Sequence, residues 1–406
     1  MCFVTVPHPL GMISKEEVNA KVDAAFDDIV KAATAWTPAK EKQDAQVKPY
    51  PAKRFKFSGT YADVNDMFQK RKWSLSLPIV PPTVDKVAAM LKGTKRDPAE
   101  VLWVVPPRQG MLTVELVAAL GVMAGAKPEH MPLLIATVEA MAEPDAAWRG
   151  PTTTTAATVP VFFISGPIIE KLKLNPGTGT AGGENPVTNA LGYFVNLVGD
   201  VVGGSVPPNF DKSTHGSSAD LVAMVFTENA KENPWKTTYA EEAGFKPGDS
   251  IVTHFSAYLG NANIDHDSKT GQRLLTTLST GLLGSASGLA SCLADYDATY
   301  AINNKVSFAF IVLCPEHAAT IAKDFPDQRA ARDFMRETAA MPYKFYSQET
   351  CVPGKDFGPY DENTFIPRFK KTESIKFFVS GGPGKQSQIW VPFPQVFKPV
   401  SKKIAE

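Results

Sequence analysis

The chain has 406 residues, 44% of them hydrophobic and 21% charged, and its 42 Lys and Arg are balanced by 42 Asp and Glu. A zero net charge supplies no basic field, so neither nucleic acid nor an anionic membrane surface is an expected partner. The longest apolar runs, such as Met131 to Met141 and Leu221 to Phe226, fall short of the about 18 residues that span a bilayer, and no membrane segment is expected. The beginning, MCFVTVPHPLGM, is apolar but lacks the basic start and small-residue cleavage site of a signal peptide. Four cysteines, Cys2, Cys292, Cys314 and Cys351, show no CxxC spacing, which implies reduced thiols in a cytoplasmic protein and no zinc knuckle.

In chain order, Cys2 to Val6 is a short β-like run ended by Pro7. Ser14 with Glu17 forms a capping box that opens a helix through Val18, Val22, Phe26, Ile29 and Val30. A strand and one helix cannot bury their own apolar faces, so residues 1–36 read as a docking arm. Residues 37–69 begin polar and proline-rich and read as a linker. A first α/β region is expected over 70–205 and a second over 206–406. Within the first, Tyr61 to Lys72 precedes it as a helix, Thr83 caps another, and Val101 to Val105 is a strand closed by Pro106-Pro-Arg108. Helices follow over Thr113 to Met123 and Pro132 to Met141, then a buried strand over Val159-Pro-Val-Phe-Phe-Ile164.

That last strand leads into LNPGTGTAGGENPVTNALGYFVNL, Leu174 to Leu197, where Gly177, Gly179, Gly182 and Gly183 form a loop before a helix. Glycines let backbone amides approach a ligand, and a helix start carries unpaired N–H groups, so a carboxylate or phosphate would fit there. The GxGxxGG spacing matches neither the dinucleotide fingerprint nor the Walker loop, and no nucleotide cofactor is expected. The alternative is a flexible connection between core elements. Further on, Leu221 to Phe226, Ser250 to Ser256, Val306 to Leu313 and Ile375 to Val379 read as strands. Leu274 to Leu289, Glu316 to Asp324 and Gln328 to Ala340 read as helices, and Ser380 to Lys385 as a second glycine turn. The strand–loop–helix alternation around Pro106 and Gly177 predicts an α/β fold with mostly parallel or mixed sheets and flanking helices.

Candidate chemical groups sit at the predicted strand ends. His266 reads as a general base or metal ligand with Asp265 as its orienter, and His317 with Glu316 stands at a strand-to-helix turn. His254 joins His266 as the only suggested metal pair, although the spacing fits no standard metal motif. Against these readings, single histidines also serve as satisfied structural or surface groups, and Glu316 can simply favour a helix start. Arg108, fixed after two prolines, suits a substrate carboxylate through a bidentate pair, or a surface ion pair. Lys212, Lys385 and Asn263 are further candidates for substrate binding. Cys292 and Cys314 lie in apolar runs and read as inert small hydrophobes; Cys351, in a polar loop, reads as the one thiol to test for reactivity, and Cys2 is exposed by position alone.

The runs Leu77-Pro-Ile-Val-Pro-Pro-Thr83 and Val104-Val-Pro-Pro-Arg108, with Met123-Ala-Gly-Ala-Lys-Pro-Glu129 and Ala136-Thr-Val-Glu-Ala140, carry a likeness. So do Asp211-Lys-Ser-Thr214, Glu228-Asn229, Pro234-Trp235, Asn263 to His266, Pro315-Glu-His-Ala-Ala319 and Gly381-Gly-Pro-Gly-Lys385. Together they resemble the large domain that accompanies UGSC-type selenoproteins and their cysteine counterparts, over roughly residues 70 to 400. Phe3 to Ala35 resembles the tail of the UGSC domain itself. The resemblance implies a partner chain bringing the reactive thiol or selenol, and hence a hetero-oligomer. The UGSC module is similar to the substrate-activating subunits of glycine and betaine reductases, which implies redox or bond-cleaving chemistry. The expectation is an enzyme subunit for a small anionic substrate. The alternatives are a non-catalytic scaffold that presents substrate to a partner, and a metal-dependent lyase or hydratase.

Overall fold

The computed structural model describes residues 4, 13–35, 50–207, 215–258, 260–284, 308–345, 361–369, 371–393, 396 and 398–405. Contacts divide the chain into two units, residues 1–48 and 49–406. In the first unit, helix α1 spans Lys15–Thr34. The Ser14 hydroxyl accepts from the Glu17 amide at 3.2 Å, while the Ser14 amide donates to Glu17 Oε2 at 2.9 Å, which completes the capping box. Its apolar stripe is open, with Phe26 56% exposed. Of the strand expected over Cys2 to Val6, all but Val4 lies outside the described residues.

The second unit begins with the described end of the expected linker, which is pinned rather than free. The Ala52 amide and Arg54 Nη2 both donate to the buried carboxylate of Glu115, at 2.7 and 3.3 Å. Helices α2 (Tyr61–Lys70), α3 (Val84–Leu91), α4 (Val114–Met123) and α5 (Met131–Ala142) follow the apolar spacing of the sequence. Helices α4 and α5 are apolar on nearly every face because they are covered on nearly every face. Between α3 and α4, the Val101 run does not enter a parallel sheet. Strand β1 (Val101–Val105) turns at Pro106 to Gln109 and pairs antiparallel with β2 (Gly110–Thr113) as a two-stranded hairpin. The alternation around Pro106 is thus a hairpin, not a strand–helix crossover.

Two four-stranded mixed sheets form the centre. Their strands are β3 (Val159–Ser165), β4 (Met224–Thr227), β5 (Ile251–Ala257) and β6 (Asn261–Ile264), then β7 (Ala309–Leu313), β10 (Ile375–Val379), β11 (Gln386–Trp390) and β12 (Val400–Lys403). A separate small pair joins β8 (Ala340–Pro342) to β9 (Phe365–Pro367). In the first sheet the order is β12-β5-β3-β4, with β4 parallel to β3, β5 antiparallel to β3 and β12 antiparallel to β5. In the second it is β6-β11-β7-β10, with the same signs at each step: β10 parallel to β7, β11 antiparallel to β7, β6 antiparallel to β11. Each sheet repeats the other's design, and each half of the chain lends its fourth strand to the other's sheet. Strand β3 of the first expected α/β region thus shares a sheet with β4, β5 and β12 of the second. The sheets are mixed, with one parallel pair in each.

Alternation along the strands sorts the core. Val159, Val161 and Phe163 of β3 join Phe310 and Val312 of β7 in an aromatic layer between the sheets, where Phe163 stacks on Phe310 with centroids 4.3 Å apart. Phe162 and Ile164 turn the other way onto α4, α5 and α7 (Pro186–Asn196), after the short α6 (Ile168–Lys171). Ile311 and Leu313 likewise face α9 (Gly271–Gly284), α10 (Pro315–Asp324) and α11 (Gln328–Thr338), which follow α8 (Tyr239–Glu242). The layers run helix, sheet, sheet, helix. No helix among the described residues is long and apolar enough to cross a membrane.

Candidate functional site

The carboxyl ends of β7 and β10 place the site. The pleat that turns Phe310 and Val312 inward brings Cys314 to the same inner side, one residue past the strand. Cys314 is also the residue before α10, whose first position is Pro315. A thiol there faces the positive end of a ten-residue helix. Beside β10, the chain leaves through Ser380, Gly381, Gly382, Pro383 and Gly384 and returns as β11. That turn meets the loop of Gly177 to Gly183: the Gly381 amide donates to the Pro176 carbonyl at 2.8 Å, and a Cβ added to Gly382 would lie 2.1 Å from Thr178 Oγ1. Only glycine allows this approach. The Ser380 hydroxyl donates to the Thr227 carbonyl at 2.7 Å and fastens the turn to the first sheet. Between the loops and the sheets lies a cavity of about 470 Å³, lined by Gly179, Thr180, Gly182, Phe226, Cys314 and Gln388 among others.

His317 completes a pair with Cys314. It is 2% exposed and its ring is held from both sides. Nε2 lies 3.1 Å from the Asp265 backbone carbonyl, which can only accept, so Nε2 carries a proton. Nδ1 is therefore the nitrogen free to exchange a proton, and it lies 2.8 Å from Ser387 Oγ. That hydroxyl also accepts from the Cys314 amide at 3.3 Å, so cysteine, serine and histidine form one network. Burial pushes the Cys314 thiol up, but hydrogen bonds from the His317 ring and backbone N–H outweigh it and leave the thiol below its usual value. Burial alone would lower His317; bonding to the Cys314 sulfur and to the Asp265 carbonyl raises it instead. Both directions favour a thiolate–imidazolium pair. Cys314 is a free cysteine in the buried setting its apolar run predicts, and its lowered pKa departs from that of an ordinary buried thiol.

The other expected groups take different places. Asp265 does not orient His266: its carboxylate accepts from the Thr277 hydroxyl at 2.6 Å and from the Ser268 amide and hydroxyl at 2.9 and 2.8 Å. Burial pushes this acid up, yet those bonds bring it down to about 2. His266 is exposed, and its carbonyl accepts from Lys385 Nζ at 2.9 Å. Lys385 is thus engaged in its own turn. Glu316 Oε2 accepts from the Gly384 and Lys385 amides at 2.6 and 2.9 Å, which lowers its pKa and clamps the glycine turn. Asn263 is buried against α9, where a Cβ on Gly281 would lie 1.6 Å from its Oδ1.

The glycine loop uses its own amides: Gly177 donates to Asn175 Oδ1, Thr180 to the Gly177 carbonyl and Gly182 to the Gly179 carbonyl. The Gly183 carbonyl accepts from Asn189 Nδ2 at 3.1 Å. Gly179 and Gly182 line the cavity, and three of the loop's amides are bonded within the loop itself. Arg108 is not part of it. It sits exposed in the β1–β2 turn, its amide bonded to the Gly203 carbonyl at 2.9 Å. Lys212, Cys2, Cys292 and Cys351 lie outside the described residues.

His254 and His266 are not co-ligands. His254 is fully buried on the outer face of the first sheet, its ring stacked on Phe162 at 4.5 Å and beside Trp148 at 5.7 Å, while His266 stands in an exposed turn after β6. Burial pushes His254 down to about 3, so it stays neutral. Among the described residues, no group of three or more His, Cys, Asp and Glu is arranged to hold a metal ion. Sequence reasoning missed Cys314, Ser387 and Gln388. The one local signal was Cys-Pro-Glu-His, a cysteine before a helix-opening proline with a histidine one turn on. Compared with models of known protein families and with curated proteins, the chain matches none.

Proposed function

We propose that the chain is an enzyme acting on a small molecule through the thiolate of Cys314, with His317 as the group that takes and returns the proton. One observation carries the reading: a thiol with lowered pKa at a helix start, beside a buried and doubly held histidine, lines a cavity of about 470 Å³. His317 Nδ1 accepts the thiol proton, the sulfur attacks an electrophilic carbon, and the imidazolium protonates the departing group. The Asp265 carbonyl and Ser387 fix the ring so that no rotamer search precedes the transfer. A reducing, cytoplasmic setting suits this chemistry, because the free thiol must persist.

The test is alkylation of the full-length protein by iodoacetamide, followed by peptide mass analysis. Cys314 is expected to react at pH 7 at least tenfold faster than a free cysteine, whose thiol ionises near about 8.5. Cys314→Ser abolishes both that label and turnover. Alkylation no faster than that of a free cysteine overturns the reading.

A second reading adds a partner chain. The exposed apolar residues Val22, Phe26, Ile29 and Val30 of α1 support it, since such a stripe is stable once covered. It keeps the resemblance to UGSC proteins as its guide to the partner. Co-purification from the native host decides it: a chain recovered alone, and fully active alone, removes the need for a partner.

A further inference from the structure

Among the described residues, the side chains that line the cavity beside Cys314 are uncharged and include Thr180, Met224, Phe226, Val312, Gln386 and Gln388. Of these, Gln388 has a fixed orientation. It lies on β11 directly across from Val312 of β7, so the pleat turns it to the same inner side as Val312 and Cys314. Its Oε1 lies 3.0 Å from Trp390 Nε1. An indole N–H can only donate, so the amide has one permitted orientation: carbonyl oxygen toward Trp390, NH2 toward the cavity. Trp390 is itself buried in the aromatic layer between the sheets. A half-buried amide donor is thereby held on the strand next to the thiol.

We infer that Gln388 donates a hydrogen bond to the substrate's carbonyl oxygen, and that the substrates are neutral acyl compounds, namely esters, thioesters or amides. This rests on Cys314 being the nucleophile. The sulfur forms a bond to the carbonyl carbon while the C=O π pair moves onto oxygen, which Gln388 Nε2 holds as an oxyanion. Collapse re-forms the carbonyl and breaks the bond to the leaving heteroatom, which takes the proton that His317 removed from the thiol. The acyl group remains as a thioester on Cys314. Water then gives a proton to His317, adds to the same carbon and releases the carboxylic acid, and the proton returns to the sulfur. No oxidant or reductant is needed.

The experiment compares two probes on full-length wild-type protein and on Gln388→Met, a change that keeps length and removes the donor. Acylation of Cys314 by p-nitrophenyl acetate passes through an oxyanion, whereas alkylation by iodoacetamide is a displacement at saturated carbon and forms none. The variant is expected to lose about 100-fold in acylation, the usual loss for one oxyanion donor, with alkylation unchanged. The inference is overturned if wild type is alkylated but not acylated, or if the variant loses both rates equally or neither. Wild type that is inert to both probes at pH 7 overturns the Cys314 reading itself.

Discussion

The carboxyl ends of the two sheets share one topology and differ in chemistry. In the first, β3 ends at Ser165 and continues as Gly166-Pro167; in the second, β7 ends at Leu313 and continues as Cys314-Pro315. Gly166 stands where Cys314 stands. Its φ is +100°, and a Cβ there would lie 2.2 Å from the Asp249 carbonyl oxygen, so that position accepts no side chain at all. The polar groups beside it are closed on themselves. Ser165 donates to Glu228 Oε2, the Tyr239 amide donates to Oε1 at 2.7 Å, and the Ala240 amide donates to Ser165 Oγ at 3.2 Å. One strand end is saturated and holds the fold, while the other leaves a thiol and an amide facing a cavity. The shared scaffold presents the same position twice, and only the second carries a side chain that lines a cavity.

The largest effect that would test this comparison is at Gly166. Gly166→Ala combines a left-handed backbone with a backbone clash, and a loss of about 3–5 kcal/mol is expected by urea unfolding. A loss below about 1 kcal/mol would show that the first strand end could have carried a side chain. Next is Glu228. Burial raises its pKa to about 7 from 4.5, with the bonds from Ser165 and Tyr239 opposing. The folded state therefore binds the extra proton between pH 4.5 and 7, and stability falls as pH rises through that window, by on the order of 3 kcal/mol. Glu228→Gln should remove that slope and be the more stable protein at pH 8; an unchanged slope would show that another group is responsible. The smallest effect is at the other strand end. His317→Gln returns the Cys314 thiol toward its ordinary value, so the pH midpoint of alkylation rises. The rate at pH 7 should fall about tenfold, with no difference above pH 10. A midpoint that does not move would separate His317 from the thiol.

Much of this architecture was legible because its signals are local. Ser14 with Glu17 marks a helix start by its own spacing. Strands β3, β7 and β10 are apolar on both faces because both faces are covered. Strands β6, β11 and β12 escaped notice because Asn261–Ile264, Gln386–Trp390 and Val400–Lys403 are polar edge or near-edge segments, made strands by their partners rather than by their composition. The site suffered most from this locality. Cys314 reads as hydrophobic from Ile311, Val312 and Leu313, yet its chemistry depends on Ser387, Asp265 and a helix start, two of them remote in sequence. Asp265 and Glu316, expected as catalytic groups, and Lys385, expected to bind substrate, bond instead to groups of the turns beside the cavity. Arg108 stands in a hairpin turn rather than at a crossover, because a two-stranded hairpin and a crossover share the same first strand and the same prolines.

The exchange of fourth strands between the sheets has a kinetic side. Strand β6 follows β5 directly in the chain but finds its place only beside β11, and the sheet begun by β3 waits for Val400–Lys403. Pairings between segments so distant in sequence must offset loop-closure entropy before they stabilise anything, which slows folding. During synthesis neither sheet can close until nearly all of the second half has emerged. The two halves therefore commit together, and the cavity that lies between their glycine turns exists only once both are in place.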